Sequence, residues 1–461
     1  MFQIADRGST PVREVLGGLT TFLAMSYILF VQVGLLSGVA GMDAGGVLMA
    51  VTIASAAACI LMGLLANYPI ALAPGMGQNF FFLSIAMTLG AGQYDGGWQK
   101  ALALVVVAGA VFLALATVGL RSKVLNSIPD ALKSGIAAGI GLLIARVGFS
   151  MGGLEHAFDL SGEYGSGVEA ISAFWTFTPA WLTLLGLLVM LVLVRLRVHG
   201  AILIGILAAT GVSLVLGAAQ LQAPFALPGG IQHTAAGAIE GFGGLWNTVT
   251  SGSWGQIQQV LILLFILLFM DLFDTVGTLV GVTRRAGLMT PDGHLPRAER
   301  ALTADAAGTV IGGMLGTSTV TSYIESVTGV EAGARTGLAA IVTGVLMLAG
   351  MFCLPLVEIV MGEYYLGADR LFPTVAPALI LVGAMMVRAI REVDFEDVTE
   401  YLPVLVILIT MPLTMSIAHG IAFGFVAYAA GKLLTGKVRD CPLLVYLCAA
   451  LFVLRYAWPV F

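Results

Sequence analysis

Residues 260–282, VLILLFILLFMDLFDTVGTLVGV, form an apolar run into which two carboxylates, Asp271 and Asp274, are set. Apolar runs of this kind recur along the whole chain. At about 20 residues per crossing of a hydrocarbon core roughly 30 Å thick, they predict about fourteen transmembrane helices, several of them short or interrupted. The fold class that follows is an all-α polytopic membrane protein with little mass outside the bilayer.

Two segments break the helical pattern in matching ways. In NYPIALAPGMGQNFFF, residues 67–82, Pro69, Pro74, Gly75 and Gly77 forbid a continuous helix and NFFF opens a new one. In GTSTVTSYIESVTGVEAGARTG, residues 316–337, β-branched and hydroxyl residues replace helix formers as far as Ile324 and Glu325. Extended backbone at membrane depth is tolerated only inside protein or along a cavity. Spans 3 and 10 are therefore expected to be interrupted by short extended segments that line a site.

HGAILIGILAATGVSLVLG from His199 resembles HGIAFGFVAYAAGKLLTG from His419, each following a short apolar span after a charged turn. Lys and Arg gather at alternate span ends, at Arg7 and Arg13, Arg121 and Lys123, Arg195 and Arg197, Arg284 and Arg285, Arg335, Arg388 and Arg391, and Lys432, Lys437 and Arg439. The positive-inside rule makes these ends cytoplasmic, with the N-terminus inside and the loops at 151–178 and 219–256 outside. His199 then lies inside and His419 outside. The two copies are inverted, which is a signature of secondary transporters with a site near the midplane.

Composition narrows the class. Hydrophobic residues make up 59% of the 461, charged residues 10%, and mean hydropathy is +0.99, which excludes a soluble protein. A formal charge of -5 without a basic tract excludes nucleic acid as a partner. Cys59, Cys353, Cys441 and Cys448 are scattered without metal-ligand spacing, so neither a metal site nor redox chemistry is expected. The polar N-terminus lacks the apolar core of a signal peptide, and the first apolar run is expected to be a retained span. The terminal run from Cys441 to Phe461 is barely long enough to cross.

A carboxylate near the bilayer centre costs about 2.5–3.5 kcal/mol, so intramembrane acids face a cavity, a partner or a substrate. Asp271, Asp274, Thr275 and Thr278 fall at i, i+3, i+4 and i+7, one polar stripe on an otherwise apolar helix. Glu325, flanked by Ser322 and Ser326, marks the break in span 10, and Asn79 marks the matching break in span 3. Asp305 is expected to cap or complement the dipole of the next span. Carboxylates and an amide without buried cations suit a planar neutral solute rich in N–H and C=O groups, such as a nucleobase, better than an anion. Tyr27 and Phe80 offer aromatic faces, although packing is the stronger role for the NFFF rings. Burial disfavours a charged carboxylate, which makes Asp271, Asp274 and Glu325 candidates to carry a proton, with sodium left open.

TTFLAMSYILFV (20–31), ALAPGMGQNFFF (71–82), LFMDLFDTVGTL (268–279) and GTSTVTSYIESVTGVEAGARTGL (316–338) resemble the AzgA-like purine nucleobase permeases of the nucleobase cation symporters. The resemblance implies a seven-plus-seven inverted repeat. Its core domain would comprise residues 1–120 (spans 1–4) and 257–362 (spans 8–11), and its gate domain residues 121–256 (spans 5–7) and 363–461 (spans 12–14). It further implies proton-coupled uptake of adenine, guanine, hypoxanthine or a related purine, no other cofactor, the inner membrane and a homodimer. Asn79, Asp271, Asp274 and Glu325 match family positions for substrate binding and proton coupling. Two departures stand out, Gln32 where Asn is usual and Phe80 where small residues are common. A uracil or xanthine symporter of the same fold is the nearest alternative. A channel and a membrane-embedded enzyme are less favoured, because the inverted repeat and paired helix breaks point to transport.

Overall fold

The structure, a computed structural model of the chain, describes residues 2–94, 96–118, 129–157, 177–217, 219, 226, 228–289, 295–362, 364–366 and 369–457. Span 1 starts where Thr10 caps α1 (Pro11–Met25) through the Arg13 N–H and Pro11 takes a first-turn position that needs no donor. It breaks at Ser26 and Tyr27 before resuming as α2 (Ile28–Leu36). Asp43 caps α3 (Ala44–Leu61), which runs into a π-helical turn over Met62–Ala66 that ends at Asn67 in the left-handed conformation.

Span 3 is broken as the prolines and glycines require. Strand β1 (Leu72–Pro74) lies at its centre and α4 (Met76–Leu89) follows Gly75. Then come α5 (Gly97–Val118), α6 (Asp130–Met151), α7 (Thr178–Arg195) and α8 (Ala201–Val215). The segment 219–256, expected as a loop, instead carries α9 (Ile231–Ser251). The small residues of α9 explain this: Gly237 lies against the Trp98 ring and Gly241 against the Gln99 carbonyl, so the helix packs onto α5. Of the loop expected at 151–178, residues 158–176 lie outside the described residues.

The second half opens with α10 (Trp254–Arg285), 32 residues begun by a reciprocal Ser253–Gln256 cap and carrying the aspartates. After α11 (Ala298–Leu315), strand β2 (Val320–Ser322) and the short α12 (Ser326–Glu331) form the broken span 10. The rest is α13 (Gly337–Ala349), α14 (Leu354–Met361), a small hairpin of β3 (Tyr364–Leu366) and β4 (Asp369–Leu371), α15 (Ala376–Met386), α16 (Val398–Thr414), α17 (Ile417–Leu434) and α18 (Leu443–Ala457). Among the described residues, seven helical stretches are long and apolar enough to cross a bilayer, and five shorter apolar helices join them.

Helix contacts fall into two sets. In one, α3 packs on α11 and α13, α5 on α4, α9, α10 and α11, and α1 on α13. In the other, α6 packs on α15 and α16, α16 on α17, and α7 on α8 and α15. Glycine lets backbones touch in each set: a Cβ on Gly337 would lie 2.3 Å from the Gly63 carbonyl oxygen, and one on Gly383 would lie 2.4 Å from that of Gly141. Such small-residue contacts are how helices associate where lipid removes the hydrophobic drive.

Several helix ends are held by polar contacts. Glu14 accepts hydrogen bonds from the backbone N–H groups of Arg335 (2.9 Å) and Thr336 (3.2 Å) at the start of α13. Asn67 accepts from the Gly337 N–H at 2.8 Å. The Lys437 ammonium, 2.5 Å from Asp397, holds that carboxyl below the usual carboxylate range, assisted by the Thr399 N–H and hydroxyl.

Candidate functional site

The two broken spans meet. β1 and β2 pair antiparallel, with Leu72 opposite Ser322, Ala73 opposite Thr321 and Pro74 opposite Val320. Further bonds from Tyr323 N–H to the Ala71 carbonyl (2.9 Å), Gly75 N–H to the Thr319 carbonyl (3.0 Å) and the Tyr323 hydroxyl to the Pro74 carbonyl (2.5 Å) fix the register. The polar backbone exposed by breaking both helices is thus satisfied inside protein, as the bilayer demands.

Three side-chain networks surround this pair. The first contains Glu325, Tyr27, Asp274 and Gln78. The Tyr27 hydroxyl, placed by the break in span 1, donates to Glu325 Oε1 at 2.8 Å. Gln78 Nε2 donates to Asp274 Oδ2 at 3.0 Å. Asp274 lies near Glu325, and Tyr27 and Tyr323 are near both. None of the hydrogen bonds in this network involves Lys, Arg or His.

The second network holds α10 against α11 and β2. Thr275 Oγ1 lies 2.9 Å from both oxygens of Asp305 and 2.9 Å from Thr321 Oγ1, all three residues being buried. Thr275 has one proton, which the carboxylate takes, so Thr321 donates to Thr275. Asp305 corrects the expectation of a helix cap. Its helix starts at Ala298, which puts Asp305 in the helix interior and fully buried.

The third network contains Asn79. Its Oδ1 accepts from the Ser318 hydroxyl, and Gln32 Nε2 donates to Thr317 Oγ1 (3.0 Å) and Ser318 Oγ (3.3 Å). Asn79 therefore does not supply the amide that reaches the acids. That amide is Gln78, one position earlier, which sequence reasoning missed. Adjacent helical residues point about 100° apart, and only the start of α4 at Gly75 shows which of the two faces α10.

The remaining expected residues are placed as follows. Asp271 lies one turn before Asp274 and is 1% exposed, and Thr278 continues the buried stripe. Ser322 is buried in β2 with its hydroxyl unpaired among the described residues. Phe80 is buried with Phe81 and Phe82 in the main apolar core. The first turn of α4 also meets the second helix set: a Cβ on Gly77 would lie 3.0 Å from Ile140 on α6 and 3.8 Å from Met270 on α10. Gly277 on α10 is exposed, and a Cβ there would meet nothing within 4 Å.

A helical membrane protein whose two broken helices pair strand to strand beside buried acids is built as a secondary transporter. Comparison with known proteins gives the family: the Permease family profile matches residues 12–423, and the chain belongs to that family of transporters. It is 40% identical to the guanine/hypoxanthine permease PbuG of Bacillus subtilis (strain 168), covering 99% of this chain and 98% of that one. It is 35% identical to the adenine permease AdeP of Escherichia coli (strain K12), covering 99% and 95%. Among solved structures, the transmembrane domain of a cyanobacterial bicarbonate transporter, BicA, matches with a TM-score of 0.61 at 15% identity, covering 89% of this chain and 96% of that one. This last likeness establishes the seven-plus-seven inverted-repeat fold.

Proposed function

We propose that the chain imports purine nucleobases by proton symport, with a core drawn from residues 1–120 and 257–362 moving against a gate drawn from 121–256 and 363–461, and with α9, which packs on α5, moving with the core. The observation that carries this is the first network: two carboxylates, a phenol and an amide at the paired strands, with no Lys, Arg or His in its hydrogen bonds among the described residues. Such a set offers acceptors to the N–H groups of a flat heterocycle and repels anions. The relatives named for guanine, hypoxanthine and adenine support the same substrate class. The bicarbonate transporter shares only the fold, and function lives in the site. Within the site, Glu325 reads the base and the Asp271/Asp274 pair links binding to the proton. The N-terminus and the basic span ends would lie in the cytoplasm, the protein in the inner membrane, and two copies would pair as a homodimer.

A competition panel in cells expressing the chain tests the substrate. Unlabelled adenine, guanine, hypoxanthine, xanthine and uracil would be set against one labelled purine. The expected result is accumulation of intact base, competed by purines and abolished by a protonophore. Competition by uracil alone would move the chain to the uracil branch, and equilibration without accumulation would make it a channel.

A further inference from the structure

Gln78 is 2% exposed, and its two amide atoms are treated differently by the fold. Nε2 is committed to Asp274 Oδ2 at 3.0 Å, while Oε1 is buried and without a hydrogen-bond partner among the described residues. An ionised carboxylate only accepts, so the contact with Asp274 fixes the amide with Oε1 on the other side. Buried acceptors are normally satisfied, and one left open beside a binding site marks where a ligand donor belongs. The backbone makes room for it. A Cβ on Gly75 would sit 2.0 Å from Gln78 Oε1, so glycine at the start of α4 is what lets the amide occupy this position.

Asn79 differs in kind: its Oδ1 is taken by Ser318 in the network built on Gln32, and the atom it leaves unpaired among the described residues is the donor Nδ2, not an acceptor. Gln78 also sits at the first turn of α4, the turn that approaches α6 and α10 through Gly77.

We propose that Gln78 is a specificity-determining residue of the substrate site: with Nε2 held on Asp274, its Oε1 accepts a ring N–H of the bound heterocycle. This rests on the purine reading above. It adds that substrate recognition and the acid of α10 are joined through one side chain. Loss of the Asp274 charge lets the carboxyl donate, which releases the amide to rotate and changes what it presents to the base.

The test measures equilibrium binding to detergent-purified protein, with labelled hypoxanthine as probe and 1-methyl-, 7-methyl- and 9-methylhypoxanthine as competitors. In the parent chain, methylation of the nitrogen read by Gln78 is expected to weaken competition. In Gln78→Met, of similar shape but unable to make either hydrogen bond, hypoxanthine itself should bind about 5- to 100-fold more weakly. The penalty at that single nitrogen should vanish while the other penalties persist. Gln78→Asn, one methylene too short to span both partners, should behave in the same way. Unchanged hypoxanthine affinity in Gln78→Met, or equal loss for all four compounds, would overturn the proposal. If neither variant folds, the parent still decides, because three methylated analogues that bind as well as hypoxanthine would mean no ring N–H is read. Should the parent bind none of adenine, guanine and hypoxanthine, the purine reading itself fails, whereas parent binding with indifferent Gln78 variants refutes this inference alone.

Discussion

At the scale of single residues, the site divides by partner. Glu325 is oriented by the Tyr27 hydroxyl, which donates to Oε1, and a carboxylate has further lone pairs to offer a base. Hydrogen bonds to a charged group are worth about 1.5–3 kcal/mol each. Glu325→Gln should therefore weaken purine binding by roughly 10- to 150-fold while leaving the melting profile in detergent near that of the parent; unchanged affinity would remove Glu325 from base recognition. For the α10 pair the expected loss is in coupling. At least one of Asp271→Asn and Asp274→Asn should bind purine yet fail to concentrate it, and normal accumulation by both would refute the coupling role. These acids were legible in the sequence because charge in an apolar run needs a reason. Gln78 was not, because it sits beside an equally polar Asn79 and the phase of a helix cannot be set before its first residue is known. Asp305 was misjudged for a related reason: its helix begins well upstream, after Arg297 in a left-handed conformation, so a residue that looked terminal is interior.

At the scale of elements, the broken spans were foreseeable from Pro69, Pro74 and Gly75 in one and the β-branched run in the other, whereas their pairing was not. Strand register depends on contacts between residues almost 250 positions apart, such as Tyr323 with Pro74, and no local pattern encodes these. Helix α9 escaped notice because its packing surface is glycine rather than a stripe of large apolar residues. The same chemistry makes close crossings fragile. In Gly337→Val the new side chain meets the Gly63 backbone, which cannot move aside as a side chain could. Overpacking of this kind costs about 1–3 kcal/mol or more, so the variant should melt well below the parent. Gly277→Ala, facing open space on α10, should melt at or slightly above the parent temperature, since alanine favours helix over glycine by up to about 1 kcal/mol. Equal melting temperatures for Gly337→Val and the parent would mean that the α3–α13 crossing is not as tight as described.

At the scale of the whole molecule, two helix sets meet where α4 approaches α6 and where Phe269 of α10 lies edge-on to Phe425 of α17, with ring centroids 5.6 Å apart. The acids lie on the elements of one set close to that boundary, which is where alternating access requires a substrate to be held. The central claim is that this arrangement converts a proton gradient into a purine gradient. Its most direct measurement is uptake of labelled hypoxanthine, guanine or adenine by proteoliposomes containing only the purified chain, with an imposed inside-alkaline pH gradient. The account predicts transient accumulation above the external concentration, collapsed by a protonophore and absent when the pH is equal on both sides. Uptake that ignores the pH gradient, or that a sodium gradient drives equally well at matched pH, would contradict it.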